Sequence, residues 1–451
     1  MNKKLVNFFQ TPAGNLYAYL ALSNEILSLK TDLKVPLSQS VCDALYDALQ
    51  SQGYVRQSAF SCVDWSCTFE EYKRKSEHEI PTLVLELTRR CNLNCAYCAV
   101  SGAAYHQQAM PPDMSAQTVF RSIDFFEAHN RDCRTADVSF YGGEALLRFD
   151  LIRQAVDYAQ KRIREKPLMF DISTNGLLLS DTVCAWLVDH PNVMVTCTVN
   201  GPFHNAYRKT RTGEASLNPI LNNLSNLRAK YPIVWEHQVK LLANVERERD
   251  IFTLLDFYQA YFDRPPGMVT TIDWDSDVSK SKISGETDSF ILPLQVDFTK
   301  GGIVRDFFES TIIPLHERSV DLTATCALIS SCFPCEVKLL VQTDGSLSYC
   351  EKFCNRTNIG ALQDGLDFQK LQRIYDSARL LYQNQCRTCW AQRLCQVCLA
   401  TVTTQSGEIS EEIPARLCAA SRRDIEQNLI LYCKLAEEAP QRLQHLAWKS
   451  T

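Results

Sequence analysis

Cys91, Cys95 and Cys98, in the stretch CNLNCAYC, stand close enough along the chain to serve one inorganic centre. Thiolates are the soft ligands that iron-sulfur clusters select, and three of them can hold three irons of a [4Fe-4S] cluster while the fourth iron stays open to chemistry. A fully ligated cluster needs a fourth cysteine close by, and the next one downstream is Cys133. Zinc is the alternative for short cysteine spacings. Zinc sites usually pair two CxxC halves, however, and this triple has no matching half beside it.

A second group of thiols lies in the final third. CEVKLLVQTDGSLSYC runs from Cys335 to Cys350 as Cx9Gx4C, and TDG between two extended runs reads as a hairpin turn that lets both cysteines face one site. CRTCWAQRLCQVC then supplies Cys386, Cys389, Cys395 and Cys398, with Cys418 after a gap. Half of the 20 cysteines fall between Cys326 and Cys418, which in a reducing compartment argues for metal ligation. A structural zinc ribbon is the competing reading for Cx2Cx5Cx2C. The scattered cysteines need only be small apolar residues.

The elements that must position these groups show a regular rhythm. Extended runs at 83–87, 136–141, 168–173, 193–199, 238–244 and 268–273 alternate with amphipathic segments such as SAQTVFRSIDFFEAHN. Six βα units are the pattern of an open, partial parallel barrel, whose active site forms where the carboxyl ends of the strands converge. The polar motifs fall at those ends. Gly142, Gly143 and Glu144 follow the second strand, Ser173 to Gly176 (STNG) the third, and Asn200, Gly201 and Pro202 the fourth, with His204 and Arg208 just beyond. A glycine pair lets backbone approach closely, and a guanidinium such as that of Arg208 matches a carboxylate in a bidentate way. His204 reads equally well as a structural hydrogen-bond donor.

A chain of 451 residues predicts two or three domains, here 1–80, 81–310 and 311–451. The first eighty residues read as short strands with turns, an amphipathic helix in PLSQSVCDALYDALQSQG and a charged connector in EEYKRKSEHE, together a small α+β module. A net charge of −5 without a basic run argues against nucleic acid. No apolar stretch approaches the length of a membrane span, and MNKKLVNFFQ lacks the apolar core of a signal peptide, so a cytoplasmic protein is expected.

Cysteines, strands and loop motifs together resemble the radical S-adenosylmethionine (SAM) superfamily with a carboxy-terminal SPASM domain, as in maturases of ribosomally made peptides. The resemblance runs from about residue 80 to about residue 430. It implies an α/β fold: a partial (β/α)6 barrel, preceded by the α+β module and followed by the cysteine-rich domain. In that family the open iron binds the amino and carboxylate groups of SAM, and the reduced cluster cleaves it to a 5′-deoxyadenosyl radical that takes a hydrogen from the substrate. Carried onto this chain, the resemblance implies cofactor contacts from Tyr97, Gly142, Gly143, Glu144, Ser173, Asn175 and Arg208. Asn200 stands where relatives commonly have aspartate, so a role resting on that carboxylate has no bearer here.

The SPASM pattern implies two auxiliary [4Fe-4S] clusters, although the usual final Cx3C is Cx2C in this chain. Cys386, Cys389, Cys395 and Cys418 would hold one. Cys335, Cys350 and Cys398 would serve the other, completed by Cys332 or Cys326. Relatives often show CxPG with cysteine at the position of Cys332 and glycine at that of Cys335, so the choice between these two stays open, and Cys354 is a spare thiol. Glu351 matches a carboxylate that takes a substrate proton in sulfatase maturases. The alternative is a surface ion pair with Lys352 or an arginine. The partners implied are a precursor peptide, its leader read by a winged-helix-like amino-terminal module, and an electron donor such as flavodoxin or ferredoxin. The activity expected is a carbon-carbon, ether or thioether crosslink. Formation of formylglycine on a sulfatase is the runner-up, and a non-catalytic iron-sulfur protein is the reading from another class.

Overall fold

The computed structural model describes residues 5–55, 68–98, 111–247, 250–272, 295–320, 333–351, 358–395, 397–404 and 406–446. Near the amino terminus β1 (Val6–Gln10), β2 (Leu16–Leu20) and β3 (Glu25–Leu29) form an antiparallel sheet in that order. The helix Gln39–Ser51, capped by the Ser38 hydroxyl, lays Tyr46 and Leu49 against Val6, Ala18 and Leu20. The segment expected as a charged connector is instead the helix Phe69–His78. Thr68 and Glu71 close a capping box at its start, and Tyr72 anchors it against Phe333 and Tyr375. Phe69, packed on Tyr72 and Tyr375, joins Tyr72 and the cap in ordering a stretch whose remaining residues are polar.

The six expected strands all form. They are β4 (Thr82–Thr88), β6 (Ala136–Gly142), β7 (Leu168–Thr174), β8 (Val193–Thr198), β10 (Val239–Val245) and β11 (Met268–Thr271), parallel and adjacent in chain order. Between them in sequence, β5 (Leu93–Cys95) and β9 (Arg208–Thr210) pair antiparallel as a separate two-stranded sheet. Leu83, Leu85 and Leu87 join the core shared with the helices, whereas Val84 on the other face packs with Leu340, Cys98 and Tyr141. Alternation along β4 thus turns every second side chain toward the cysteine loop.

The sheet does not stop at the sixth strand. The short strand β12 (Leu339–Val341) adds to β4 in parallel, with Leu339 opposite Leu83 and Val341 opposite Leu85. β13 (Ser346–Ser348), β14 (Asn358–Ala361) and β15 (Gly365–Leu366) continue antiparallel from it to make ten strands. Strand pairing therefore crosses residue 310, where the sequence reading placed a boundary. The reason is burial: Leu339, Leu340 and Val341 are apolar on both faces and need cover on each side.

The amino-terminal sheet rests on the far carboxy-terminal helix, Ala415–Glu438. Phe9, Tyr19 and Ala21 share a core with Leu394, Ile425, Leu429 and Cys433, and Tyr19 meets Trp390 edge-on. One oxygen of Glu437 accepts from Thr11 Oγ1 at 2.9 Å, Asn15 Nδ2 at 2.9 Å and Tyr17 OH at 2.8 Å. Among the described residues no helix is long and apolar enough to cross a membrane.

Candidate active site

The cysteine loop starts where β4 ends and is fixed from two sides. Across the β5–β9 pair, Cys95 is the direct partner of Arg208, and Ala96 N–H donates to Tyr207 O at 2.9 Å. From below, Gly143 N–H donates to Thr88 O at 2.8 Å and Glu144 N–H to Arg90 O at 2.9 Å. A β-carbon on Gly143 would lie 2.2 Å from Arg90 O, and one on Gly142, whose φ is +131°, 2.2 Å from Thr88 O. The close approach these glycines permit is thus to the backbone that carries Cys91. The local constraint on both glycines is the loop itself.

Glu144 is buried and spent internally. Its carboxylate accepts from Leu146 N–H at 3.0 Å, Thr174 Oγ1 at 2.8 Å and Asn175 N–H at 2.7 Å. Burial pushes its pKa up, against these hydrogen bonds and the nearby Arg208 charge. Glu144 so fixes Asn175, whose Nδ2 lies 2.7 Å from Asn92 Oδ1 and 3.8 Å from Cys91 Sγ. Ser173 is half-buried at the end of β7, opposite Thr196.

Tyr97 is the centre of a polar knot that the sequence did not reveal. Its hydroxyl oxygen receives Arg208 NH1 at 3.0 Å, Asn200 Nδ2 at 3.0 Å and Asn244 Nδ2 at 3.3 Å. Asn200 Oδ1 in turn accepts Asn244 N–H at 3.0 Å, an acceptor and donor pair that a carboxylate could not reproduce. His204 accepts Asn200 N–H and meets Ser216 Oγ at 3.1 Å, a structural post. Arg208 is buried, has no carboxylate partner among the described residues, and its Nε has no hydrogen-bond partner. A buried cation with an orphaned donor fits an incoming anionic group.

Cys91 and Cys95 lie within each other's field and that of Cys98. Burial pushes Cys91 up and Cys95 up to about 11, with Arg208 working in the opposite sense on both. A soft metal is what turns such half-buried thiols into thiolates. Among the described residues no three metal-ligating side chains already converge on one point, so these are neighbouring thiols and not a closed shell. In number, type and proximity they fit a [4Fe-4S] cluster with an open iron, and Arg208 fits the carboxylate of SAM.

In the carboxy-terminal part Cys386 lies within the field of Cys395, Cys389 and Cys418, neighbouring thiols that do not already form a closed shell. Burial first, then the charges of the other three, pushes Cys386 up to about 12. Cys350 and Cys398 flank the buried Tyr349. Cys335 is buried against Ser76 and Tyr72, and its φ of +64° is the left-handed conformation natural to glycine. Cys326, Cys332 and Cys354 lie outside the described residues. Glu351 is gripped by Lys338, just before β12, at 2.8 and 2.6 Å, and Lys352, weighed in the alternative reading, lies outside the described residues. Gln342 Nε2 and Thr343 Oγ1, buried at the carboxyl end of β12, have no hydrogen-bond partner, and Thr343 N–H points at Glu86. No sequence signal marked this seam.

Residues 85–239 match the model of the Radical SAM superfamily. The chain carries a radical SAM domain, and the superfamily's cofactors are a [4Fe-4S] cluster and SAM. Two proteins of Methanocaldococcus jannaschii are similar. Uncharacterized protein MJ0907 is 28% identical over 148 residues, which is 33% of this chain and 48% of that protein. Uncharacterized protein MJ0804 is 26% identical over 197 residues, 44% of this chain and 58% of that protein. The matched region spans about half the length of these relatives. Among solved structures, native anSMEcpe with bound AdoMet and Cp18Cys peptide is similar over 81% of this chain and 99% of its own, with a TM-score of 0.54 and 19% identity. At that identity the likeness is one of fold.

Proposed function

We propose that the chain is a radical SAM enzyme that modifies a ribosomally made peptide, joining side chains by a carbon-carbon, ether or thioether bond. The observation that carries this reading is the pinning of the Cys91, Cys95 and Cys98 loop beside the orphaned Arg208 guanidinium, at the carboxyl mouth of six parallel strands. Cys91, Cys95 and Cys98 would hold the cluster, and Arg208 with Tyr97 would orient SAM. Once bound, these groups supply a 5′-deoxyadenosyl radical. The fold neighbour anSMEcpe holds both AdoMet and a peptide, which supports a peptide substrate.

Crosslinking removes two hydrogens from the peptide, so a proton must be accepted and electrons must leave. We assign the proton to Glu351, held in place by Lys338, and the electron route to the carboxy-terminal cysteines. Gln342 and Thr343 offer unmet hydrogen-bonding groups to a peptide at the mouth. The exposed edge strand β3 is the natural place for a leader to add as a further strand. Co-expression with candidate precursor peptides and mass spectrometry of the products tests the reading. A product lighter by two hydrogens with its residues joined supports crosslinking. A cysteine or serine converted to formylglycine supports the sulfatase-maturase alternative, and unmodified peptides with every candidate would contradict both. Glu351→Gln should keep 5′-deoxyadenosine formation and lower product yield about a hundredfold.

A further inference from the structure

Cys386, Cys389, Cys395 and Cys418 are neighbours in the carboxy-terminal part, and one of them has a hydroxyl beside it. Ser421 lies three residues beyond Cys418 on the helix Ala415–Glu438, one turn on, and so shares its face. Its hydroxyl oxygen is 3.3 Å from Cys395 Sγ. In the next position Arg422 places its charge near Cys418. Ser421 also borders a cavity of about 390 Å³, walled by Leu315, Leu394, Leu417, Ile425 and Cys398. The first turns of one helix thus carry Cys418 itself, a hydroxyl beside Cys395 and a cation near Cys418.

We propose that Ser421 donates a hydrogen bond to the Cys395 thiolate of the auxiliary cluster and raises that cluster's reduction potential. The inference rests on the reading that these four cysteines hold an iron-sulfur cluster. A thiol and a hydroxyl at this distance can trade roles, but a metal-bound thiolate has no proton and can only accept. The bond therefore strengthens as the cluster gains an electron, because added charge on sulfur draws the donor in. Hydrogen bonds to cluster sulfurs and nearby charge are the levers by which a protein sets such potentials. A higher potential makes the cluster a better acceptor for electrons leaving an oxidised peptide, the task proposed for this domain. Ser421 acts through Cys395 and is a positioning residue, not a catalytic one.

The test uses the full-length protein, reconstituted anaerobically, with Ser421→Ala and Ser421→Thr beside wild type. Iron and acid-labile sulfide are assayed first. Potentiometric titration followed by electron paramagnetic resonance then gives the midpoints, and proton hyperfine spectra in light and heavy water report exchangeable protons at the cluster. Ser421→Ala should keep its iron and sulfide, shift one auxiliary midpoint downward and lose one exchangeable proton coupling, while Ser421→Thr stays near wild type. An unchanged midpoint and coupling in a fully loaded alanine variant would overturn the hydrogen bond alone. Loss of sulfide from the alanine variant, with the threonine variant loaded, would assign the hydroxyl to cluster retention and overturn the tuning role. A wild-type protein that takes up zinc without sulfide would overturn the cluster reading, and this proposal with it.

Discussion

His204 shows how far a single residue's chemistry is set by its surroundings. It is fully buried, and burial first, with the Arg208 charge second, pushes its pKa down from 6.5 to about 3. The folded protein keeps it neutral, whereas the unfolded chain takes up a proton near the ordinary value. Only the unfolded state gains protons between the two values. This contribution to stability is therefore intact above pH 6.5 and is lost as pH falls toward 3. At about pH 5 the loss amounts to about 2 kcal/mol. His204→Gln should have a melting temperature that changes less between about pH 7.5 and about pH 5 than wild type's; equal slopes would show that another group titrates. The cysteine triple carries a second expectation at this scale. Wild type should hold about twelve irons, and a variant with Cys91, Cys95 and Cys98 all changed to alanine about eight, because the carboxy-terminal thiols are separate. Residue types and spacing made both cysteine groups legible in sequence. Tyr97 as the meeting point of three side-chain donors was not legible, since Asn200, Arg208 and Asn244 converge only through the fold.

At the scale of elements, the six parallel strands were readable because alternation and turn residues are local properties of each segment. The helix Phe69–His78 was not, because its order rests on Tyr72 meeting Phe333 and Tyr375 far along the chain. The pairing of β12 with β4 was hidden for the same reason: three residues carry no sign of their partner. The glycine pair after β6 was recognised, and its contact with the cysteine loop is visible only in the fold. Gly143→Ala would force its β-carbon onto Arg90 O, a backbone atom that cannot yield without moving Cys91. We expect a stability loss of about 3 kcal/mol together with poor cluster loading at Cys91, read by denaturant unfolding and iron assay. An alanine variant as stable and as well loaded as wild type would show that the loop shifts freely.

Taken as a whole, the molecule joins its parts more closely than three successive domains would. One sheet links the barrel to the cysteine-rich region, and the amino-terminal sheet shares a core with the helix that carries Cys418. Removing residues 1–75 would strip Phe9 and Tyr19 from Leu394, Ile425 and Trp390, and would take away Tyr72 as well. Truncation therefore should cost auxiliary-cluster iron as well as peptide binding, and Tyr19→Ala alone should lower stability by about 3 kcal/mol. Iron retention by the truncated protein equal to wild type's would separate the module from the cluster domain. The central claim is that the loop of Cys91, Cys95 and Cys98 beside Arg208 supports reductive cleavage of SAM. Anaerobically reconstituted protein, reduced with dithionite and given SAM, is to be assayed for 5′-deoxyadenosine by liquid chromatography and mass spectrometry. Wild type should form it, and the triple alanine variant should not. Wild-type protein loaded with iron and sulfide at Cys91, Cys95 and Cys98 that yields none, with SAM recovered intact, would contradict the account.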